Sequence, residues 1–271
     1  MTQYFWLVPV GLIIGAFGTL IGAGGGFVLV PFLLLFYPKE NPETITSISL
    51  AVVFFNALSG SVAYARMGRI DYKSGLWFSM ATIPGAILGA LSTAFIPRRT
   101  FDFVFGLLLI GVSLLLILRP STERGPRRRG THHTFLRNLV EADGTTYTFS
   151  YDLRIGVGLS LVVGYLSSLL GIGGGIIHVP VLVRLLNFPV HIATATSHFV
   201  LAVMALTGTA VHIATGTFQH GVRQTIFLAV GVLLGAQLGG PLSNRVRGDW
   251  IIRALAIALG FVGIRILIMA L

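Results

Sequence analysis

The chain contains no cysteine, and only 9 of its 271 residues are acidic. The lack of cysteine excludes disulfide bonds and thiolate chemistry. Charged residues make up 10% of the chain and hydrophobic residues 54%, with a mean hydropathy of +0.86. A soluble globule of this size could not bury that much apolar surface. The composition therefore predicts an all-α polytopic membrane protein, and we count eight hydrophobic segments.

The basic residues outnumber the acidic ones by 19 to 9, and they lie at segment ends and in one polar stretch. That stretch, residues 119–152, contains Arg124 and the run Arg127-Arg128-Arg129. Because loops rich in Lys and Arg tend to stay in the cytoplasm, we expect residues 119–152 to form a cytoplasmic loop. Its charge should meet anionic lipid headgroups and not nucleic acid. The amino terminus lacks the features of a cleaved signal, so we interpret it as the first membrane segment.

Two glycine-rich motifs interrupt the hydrophobic segments. Residues 22–26 read Gly-Ala-Gly-Gly-Gly, and residues 171–175 read Gly-Ile-Gly-Gly-Gly. Glycine is costly to keep helical, so each motif predicts a break in a membrane helix. The first segment, residues 5–36, would be about 48 Å long as a straight helix, too long for one upright span and too short for two. The break makes it either a sharply broken span or a re-entrant hairpin.

The eight segments fall into two groups of four, offset by about 149 residues. The two glycine motifs align, as do the stretches 85–89 and 235–239, whose small-residue spacing suits close helix contact. We align Thr46-Ser47 with Thr196-Ser197 in the same way. These matches predict an internal duplication, with residues 1–118 as the first membrane repeat and residues 153–271 as the second.

The direction of the two repeats depends on how the broken segments run. If each crosses the membrane once, the repeats point the same way; if each re-enters, they are inverted. The distribution of flanking Lys and Arg favours inverted repeats. Broken helices at matched positions of two repeats also mark the binding sites of transporters.

Polar side chains inside the predicted membrane segments are the candidates for binding. None of the predicted segments has an Asp or Glu deep within it, which argues against a cation site or cation pore. Neutral hydroxyl, amide and imidazole donors suit an oxyanion. Helices beginning at Gly26 and Gly175 would direct unpaired N–H groups and the positive ends of their dipoles at the breaks. In the alternative interpretation, the glycines only permit close helix packing.

His178 follows the second motif by three residues, so its imidazole could reach the break. Histidine titrates near neutral pH and could couple a proton to anion movement. A histidine bonded to a neighbouring carbonyl is the structural alternative. The counterpart of His178 in the first repeat is Leu29, so the two halves are not equivalent here.

The doubled apolar-G-x-G-G-G-x₄-P pattern, with a Thr-Ser step near the start of the next segment, resembles the TauE/SafE sulfite exporter family. The resemblance covers nearly the whole chain except residues 119–152. It implies a multi-pass permease of the prokaryotic inner membrane for small sulfur-containing anions such as sulfite, sulfonates or sulfoacetate, most often an exporter. The family signature falls on Gly22, Gly24, Gly25, Gly26, Pro31, Gly171, Gly173, Gly174, Gly175 and Pro180, with Ser47 and Ser197 at the Thr-Ser step.

We therefore predict a secondary transporter whose two broken helices hold a small anion near the membrane midplane. The candidate binding residues are the eight signature glycines together with Ser47, Asn56, His178, Ser197 and His198. An anion channel on the same fold is an alternative that the sequence does not separate from a carrier. The sequence is compatible with a homodimer but does not require one.

Other functions fit the sequence less well. An intramembrane enzyme using Ser197 and His198 is disfavoured, because adjacent residues of a helix point about 100° apart and no acid is present to orient the histidine. The histidines of the membrane segments lack the tight spacing of metal ligands. The first glycine motif lacks the Lys-Ser or Lys-Thr of a nucleotide-binding loop. We expect no cofactor and no metal.

Overall fold

The computed structural model describes residues 4–118, 134–243 and 248–270. The chain in these ranges is mostly helical, with one two-stranded antiparallel hairpin, β1 (Thr134–Val140) and β2 (Thr146–Asp152). A short 3₁₀ helix spans Thr217–Gly221. The α-helices are α1 (Leu7–Ile21), α2 (Gly26–Phe36), α3 (Pro42–Arg66), α4 (Tyr72–Thr93), α5 (Arg98–Leu118), α6 (Leu153–Leu170), α7 (Gly175–Arg184), α8 (Val190–Ala214), α9 (Val222–Leu242) and α10 (Gly248–Ala270).

Six of the described helical segments are long and apolar enough to cross a membrane: α3, α4, α5, α6, α8 and Thr217–Leu242, which contains α9. Large apolar side chains such as Leu88, Leu114 and Leu234 are exposed on the outside of the bundle. Such a surface is typical of a helix bundle that is embedded in lipid. The predicted polytopic, mainly helical membrane protein is therefore confirmed.

The predicted helix breaks are present at both glycine motifs. Helix α1 ends at Gly22 with φ 80°, and Gly25 with φ 79° precedes α2. Helix α6 ends at Gly171 with φ 67°, and Gly174 with φ 72° precedes α7. These φ angles are left-handed, a region that glycine alone occupies without strain. Glycine at these positions allows the chain to turn between two helices inside a buried core.

Each broken segment folds back on itself. The ring of Trp6, just before α1, lies 5.4 Å from the ring of Phe36 at the end of α2. In the second half, a Cβ at Gly156 near the start of α6 would lie 3.3 Å from Leu186, which follows α7. The start of the first helix and the end of the second therefore lie side by side in both pairs.

Each of these hairpins packs against a helix of the other half of the chain. Successive positions of α1, Val8, Leu12 and Ala16, lie beside Gly231, Gly235 and Gly239 of α9, so the two helices run parallel. Helices α6 and α4 make the equivalent parallel contact, with Leu161 beside Gly85 and Tyr165 beside Gly89. The close contact predicted for residues 85–89 and 235–239 is confirmed, because the glycines let the backbones touch.

Two further contacts join helices at corresponding positions of the two halves, and both are antiparallel. In the α3–α8 pair, Gly60 adjoins His198 and Gly208 adjoins Leu50. In the α5–α10 pair, Ser113 Oγ donates to the Ala256 carbonyl at 2.7 Å, and Gly106 adjoins Leu267. The residue numbers fall on one helix as they rise on its partner.

One alignment made from the sequence is corrected by these contacts. Thr194 lies against Gly22, and Thr46 lies against Gly171. The structure therefore matches Thr46 with Thr194 and not with Thr196, and Ser197 corresponds to Ser49 and not to Ser47. The Thr-Ser dipeptide of the second half, Thr196-Ser197, therefore lies two residues beyond the position that corresponds to Thr46-Ser47.

Part of the predicted loop is folded. Residues 119–133, which include the arginine cluster, lie outside the described residues, whereas residues 134–152 form the β-hairpin, which the sequence analysis did not predict. Arg137 Nε donates to the two carboxylate oxygens of Asp71 at 2.9 and 3.1 Å. Hydrogen bonding to this buried carboxylate raises the pKa of Arg137. Phe149 and Tyr151 pack against Phe188, so the hairpin is fastened to the helical bundle.

Candidate functional site

The two glycine breaks meet inside the bundle. A Cβ at Gly26 would lie 2.5 Å from the carbonyl oxygen of Ile172, and a Cβ at Gly175 would lie 2.6 Å from the Cα of Ala23. The first residue of each short helix thus touches the glycine motif of the other half. Every residue of the two motifs is buried. Only residues without a side chain allow this approach, so the glycines do more than break the helices.

The short helices α2 and α7 begin without side-chain caps, because their N-cap residues are Gly25 and Gly174. The amides of Gly25, Gly173 and Gly174 find no backbone acceptor among the described residues. Unpaired amides at a helix start, together with the helix dipole, favour a negative charge.

A small cavity lies at the second break. It is lined by Thr82 of α4, Val163 of α6, Gly174 and Gly175 at the start of α7, His178 of α7, and Ser197, Val200, Leu201 and Met204 of α8. Three other helices, α4, α6 and α8, thus converge on the first turn of α7. The lining combines an apolar wall with a few polar groups, as small-ligand sites commonly do.

Two polar groups of this cavity have no partner. Ser197 Oγ and His178 Nδ1 make no hydrogen bond to any described residue, although the two residues are only 1% and 3% exposed. The other ring nitrogen of His178, Nε2, lies 3.3 Å from Ser160 Oγ. A buried polar atom without a partner is costly, so each of these two atoms is available to a ligand.

The first break lacks an equivalent set of polar groups. Leu29 occupies the position of His178 and is fully buried. Val232, which adjoins Gly15, takes the place of Thr82, which adjoins Gly164. The counterpart of Ser197, Ser49, already donates to the Gly171 carbonyl at 2.6 Å. The site is therefore one-sided, although each half of the chain contains a glycine break.

A second buried polar cluster lies beside the first break. Thr19 Oγ1 is 3.1 Å from Asn56 Oδ1 and 3.3 Å from His198 Nε2, and Tyr64 donates to the Thr19 carbonyl at 2.6 Å. Asn56 and His198 are fully buried. This cluster ties α1, α3 and α8 together at the level of the break.

The structure thus divides the predicted site residues into separate groups. It brings Gly174, Gly175, His178 and Ser197 together at the cavity. Asn56 and His198 belong to the second cluster. Ser47 donates to the Thr44 carbonyl at 2.8 Å and belongs to neither group. The remaining glycines, Gly22, Gly24, Gly25, Gly26, Gly171 and Gly173, form the turns and the contact between the two halves.

Sequence reasoning missed Thr82, Ser160 and Thr19. Thr19 could have been found, because it lies one turn before the first glycine motif. Thr82 and Ser160 carry no signal of their own, since their role depends on which helices pack together. All residues that line the cavity are uncharged or, for His178, titratable, and no carboxylate is among them. No group of three His, Cys, Asp or Glu side chains within the described ranges is placed to hold a metal.

Comparison with known proteins decides the family. The profile of the family described as Sulfite exporter TauE/SafE matches residues 7–266. The chain belongs to the TauE/SafE family. The match runs from the first helix to near the end of the last, so both glycine breaks lie within it.

Curated relatives of this TauE/SafE chain carry transporter names. The Bacillus subtilis protein called probable membrane transporter protein YunE is 33% identical over 96% of each chain. The Methanocaldococcus jannaschii probable membrane transporter protein MJ0441 is 22% identical over 97% of this chain and 94% of its own. Paramagnetospirillum magneticum MamO, with the same description, is 25% identical over 89% of this chain but only 40% of its own. No solved structure matches the chain. Together with the fold, these matches indicate a membrane transporter.

Proposed function

We propose that this membrane transporter is a secondary carrier of small oxyanions, and that the anion binds at the start of α7. The observation that carries the proposal is the cavity where Gly174, His178 and Ser197 meet, with two unpartnered polar atoms and no carboxylate. An oxyanion accepts hydrogen bonds from amides, hydroxyls and imidazolium without requiring a buried lysine or arginine.

The substrate class in this proposal is small sulfur-containing anions, such as sulfite, sulfonates or sulfoacetate, and the direction is export. Membership of a family described by sulfite export supports the sulfur chemistry. The proposal requires α4, α6, α7 and α8 to move apart as the anion binds, because the cavity in this structure has room for about one water molecule. The location in this proposal is the inner membrane of a prokaryote.

The transport mechanism in this proposal uses inverted repeats with re-entrant hairpins. The fold-back of α1 on α2 and of α6 on α7 supports re-entry, since each hairpin begins and ends on one side. The antiparallel pairs α3–α8 and α5–α10 support inversion, because two repeats pointing the same way would make these pairs parallel. Rocking of one repeat against the other around the breaks would expose the anion to each side in turn.

The function is tested by flux of radiolabelled sulfite in liposomes that contain the purified chain. Gly174→Leu would place a side chain against Met204 and Ser167, whose nearest atoms would lie 3.1 Å from the new Cβ, and would fill the cavity. We expect this variant to lose sulfite flux. The matched control is Gly158→Leu in α6, where a Cβ would meet nothing within 4 Å.

The proposal predicts saturable flux in the wild type and in Gly158→Leu, and no flux above empty liposomes in Gly174→Leu. Undiminished flux in Gly174→Leu would refute the binding site. Flux that does not saturate, accompanied by single-channel currents, would favour the anion channel. Chromatography and circular dichroism of each variant establish that the protein is folded.

The topology has its own test, because a chain without cysteine reports on each cysteine introduced. Phe5, Lys39 and Asp143 are exposed and lie outside the spans. Re-entry predicts that a membrane-impermeant maleimide labels Phe5→Cys and Lys39→Cys from one side and Asp143→Cys from the other. Labelling of Phe5→Cys and Asp143→Cys from the same side would contradict the inverted arrangement.

A further inference from the structure

We infer that the site binds its oxyanion together with one proton, and that His178 Nδ1 is the atom that meets this proton. The inference rests on the proposed function, because it needs an anion at the start of α7. It is argued from the hydrogen bonds around His178, which determine whether each ring nitrogen donates to a ligand or accepts from it.

The contacts of Ser160 favour one arrangement of donors and acceptors around His178, because the contact with the Gly156 carbonyl is the shorter of the two. Ser160 Oγ donates its single proton to the Gly156 carbonyl at 2.8 Å. Towards His178 Nε2, 3.3 Å away, Ser160 Oγ can therefore only accept, so Nε2 carries a proton. In a neutral imidazole the other nitrogen then has a lone pair and no proton. His178 Nδ1 is thus an acceptor in the empty site, and it is the ring nitrogen without a partner.

An acceptor lone pair repels a fully ionised oxyanion. Two routes remove the repulsion: the anion brings an O–H group that donates to Nδ1, or a proton from solution binds Nδ1 and the imidazolium donates to the anion. In both routes one proton enters the site with one anion, and both leave when the site opens to the other side. Ser197 Oγ–H and the amide of Gly174 donate in either case.

Among the residues that the structure describes, those packed around His178 contain no other charge to take over this role. Its ring packs edge-on against Phe78 of α4 at 5.8 Å, and Ser160 of α6 lies at Nε2. Thr82 and Ser197 share the cavity with it. The titratable hydroxyl of Tyr151 on β2 lies behind Phe78, where it donates to Ser74. The groups that face His178 from α4, α6 and α8 are therefore neutral, and the proton belongs to His178 or to the ligand.

The first half of the chain supplies a natural contrast. Its equivalent position is Leu29, which has no proton to exchange. Proton coupling is therefore a property of the second break alone, and the two-fold backbone carries a single proton site. Replacement of His178 by glutamine keeps a neutral donor at this position but removes the titration.

The test measures sulfite and protons together. Liposomes containing the full chain and a trapped pH-sensitive dye receive labelled sulfite at an alkaline pH where free sulfite is the dianion, with the voltage clamped by valinomycin and potassium. In the wild type we expect about one proton to appear inside for each sulfite. In His178→Gln we expect proton movement to fall more steeply than sulfite flux, so that the number of protons per sulfite falls at least about tenfold.

His220→Gln is the matched control, because His220 is exposed in the 3₁₀ helix and lies outside the cavity. It should retain the wild-type ratio of protons to sulfite. Two results would overturn this inference and leave the proposed function standing. One is wild-type sulfite flux without proton movement, and the other is an unchanged number of protons per sulfite in His178→Gln. If His178→Gln is inactive, the number of protons moved per sulfite is measured in His178→Asn instead. In either variant, proton movement must fall by a larger factor than sulfite movement. Absence of wild-type sulfite flux would overturn both proposals.

Discussion

The contact between the two glycine breaks predicts that a single methyl group at Gly26 disables the protein. Gly26 is the first residue of α2 and has an ordinary helical backbone, so alanine can adopt its conformation. What alanine cannot do is fit. Its Cβ would lie 2.5 Å from the carbonyl oxygen and 2.6 Å from the carbonyl carbon of Ile172. The destabilising effect of Gly26→Ala therefore comes from lack of space and not from backbone strain.

The size of the effect follows from the distances. Ordinary contacts of a Cβ begin at 3.4 Å, so the two breaks must separate by about 0.9 Å to admit the methyl group of Gly26→Ala. The opposing atoms belong to backbone, and the backbone of Ile172 is held by the Ser167 carbonyl. Overpacking of this kind costs about 1–3 kcal/mol, offset in part by up to about 1 kcal/mol from the better helix propensity of alanine. A displacement of about 1 Å at a functional site can cost about a hundredfold in rate.

We expect Gly26→Ala to lower sulfite flux in liposomes at least about tenfold. We expect it to lower the free energy of unfolding in detergent by no more than about 1–3 kcal/mol, so that the variant stays folded. The matched control is Gly158→Ala on α6, where the same methyl group would meet nothing within 4 Å. Its flux should equal that of the wild type. If Gly26→Ala transports sulfite and unfolds like the wild type, the contact between the breaks is not part of the mechanism.

Three further variants test other parts of the structure. Ser197→Ala removes an unpartnered hydroxyl from the cavity and should weaken sulfite binding about tenfold, read from the concentration at half-maximal flux. Thr19→Val leaves the fully buried Asn56 without its hydroxyl partner and should lower the free energy of unfolding by about 1–3 kcal/mol, measured by thermal unfolding in detergent. Arg137→Ala leaves the buried carboxylate of Asp71 unpaired and should destabilise the protein by about 3 kcal/mol in the same assay; no change would show that the hairpin is only loosely docked.

The helix breaks could be predicted from sequence because their cause is local. Consecutive glycines in an apolar run are needed only where φ is positive or another backbone approaches. The φ angle is positive at Gly25 and Gly174, and the backbone of Ile14 approaches Gly25. The duplication is predicted from the recurrence of both motifs and of the 85–89 and 235–239 stretches in the sequence. Its register was wrong by two residues in α8, because matching letters at Thr196 do not reveal that Thr194 makes the equivalent contact.

The sequence of β2 alternates aromatic and polar residues. Tyr147, Phe149 and Tyr151 alternate with polar residues, and Phe149 and Tyr151 are the buried positions of β2. Alternation of this kind is typical of a strand with one buried face. The hairpin docks on Asp71 because the start of α4 lies next to it. A local sequence pattern does not reveal which helix end the hairpin will contact.

The composition of the cavity could not be predicted, because it is made by contacts between distant segments. His178 was a candidate from its position after the motif, but its pairing with Ser160 requires α6 and α7 to fold back on each other. Thr82 reaches the cavity only because α4 packs parallel to α6. The asymmetry between the two breaks follows from these contacts and from Leu29.

The most direct test of the account is the thermal unfolding of the purified chain in detergent with a panel of anions: sulfite, sulfonates, sulfate, phosphate and carboxylates. A ligand present at a hundred times its dissociation constant stabilises the folded state by about 2.7 kcal/mol. The account predicts stabilisation by sulfite or sulfonates that Gly174→Leu abolishes and Gly158→Leu retains. Equal stabilisation of Gly174→Leu, or a response to carboxylates and to none of the sulfur oxyanions, would contradict it.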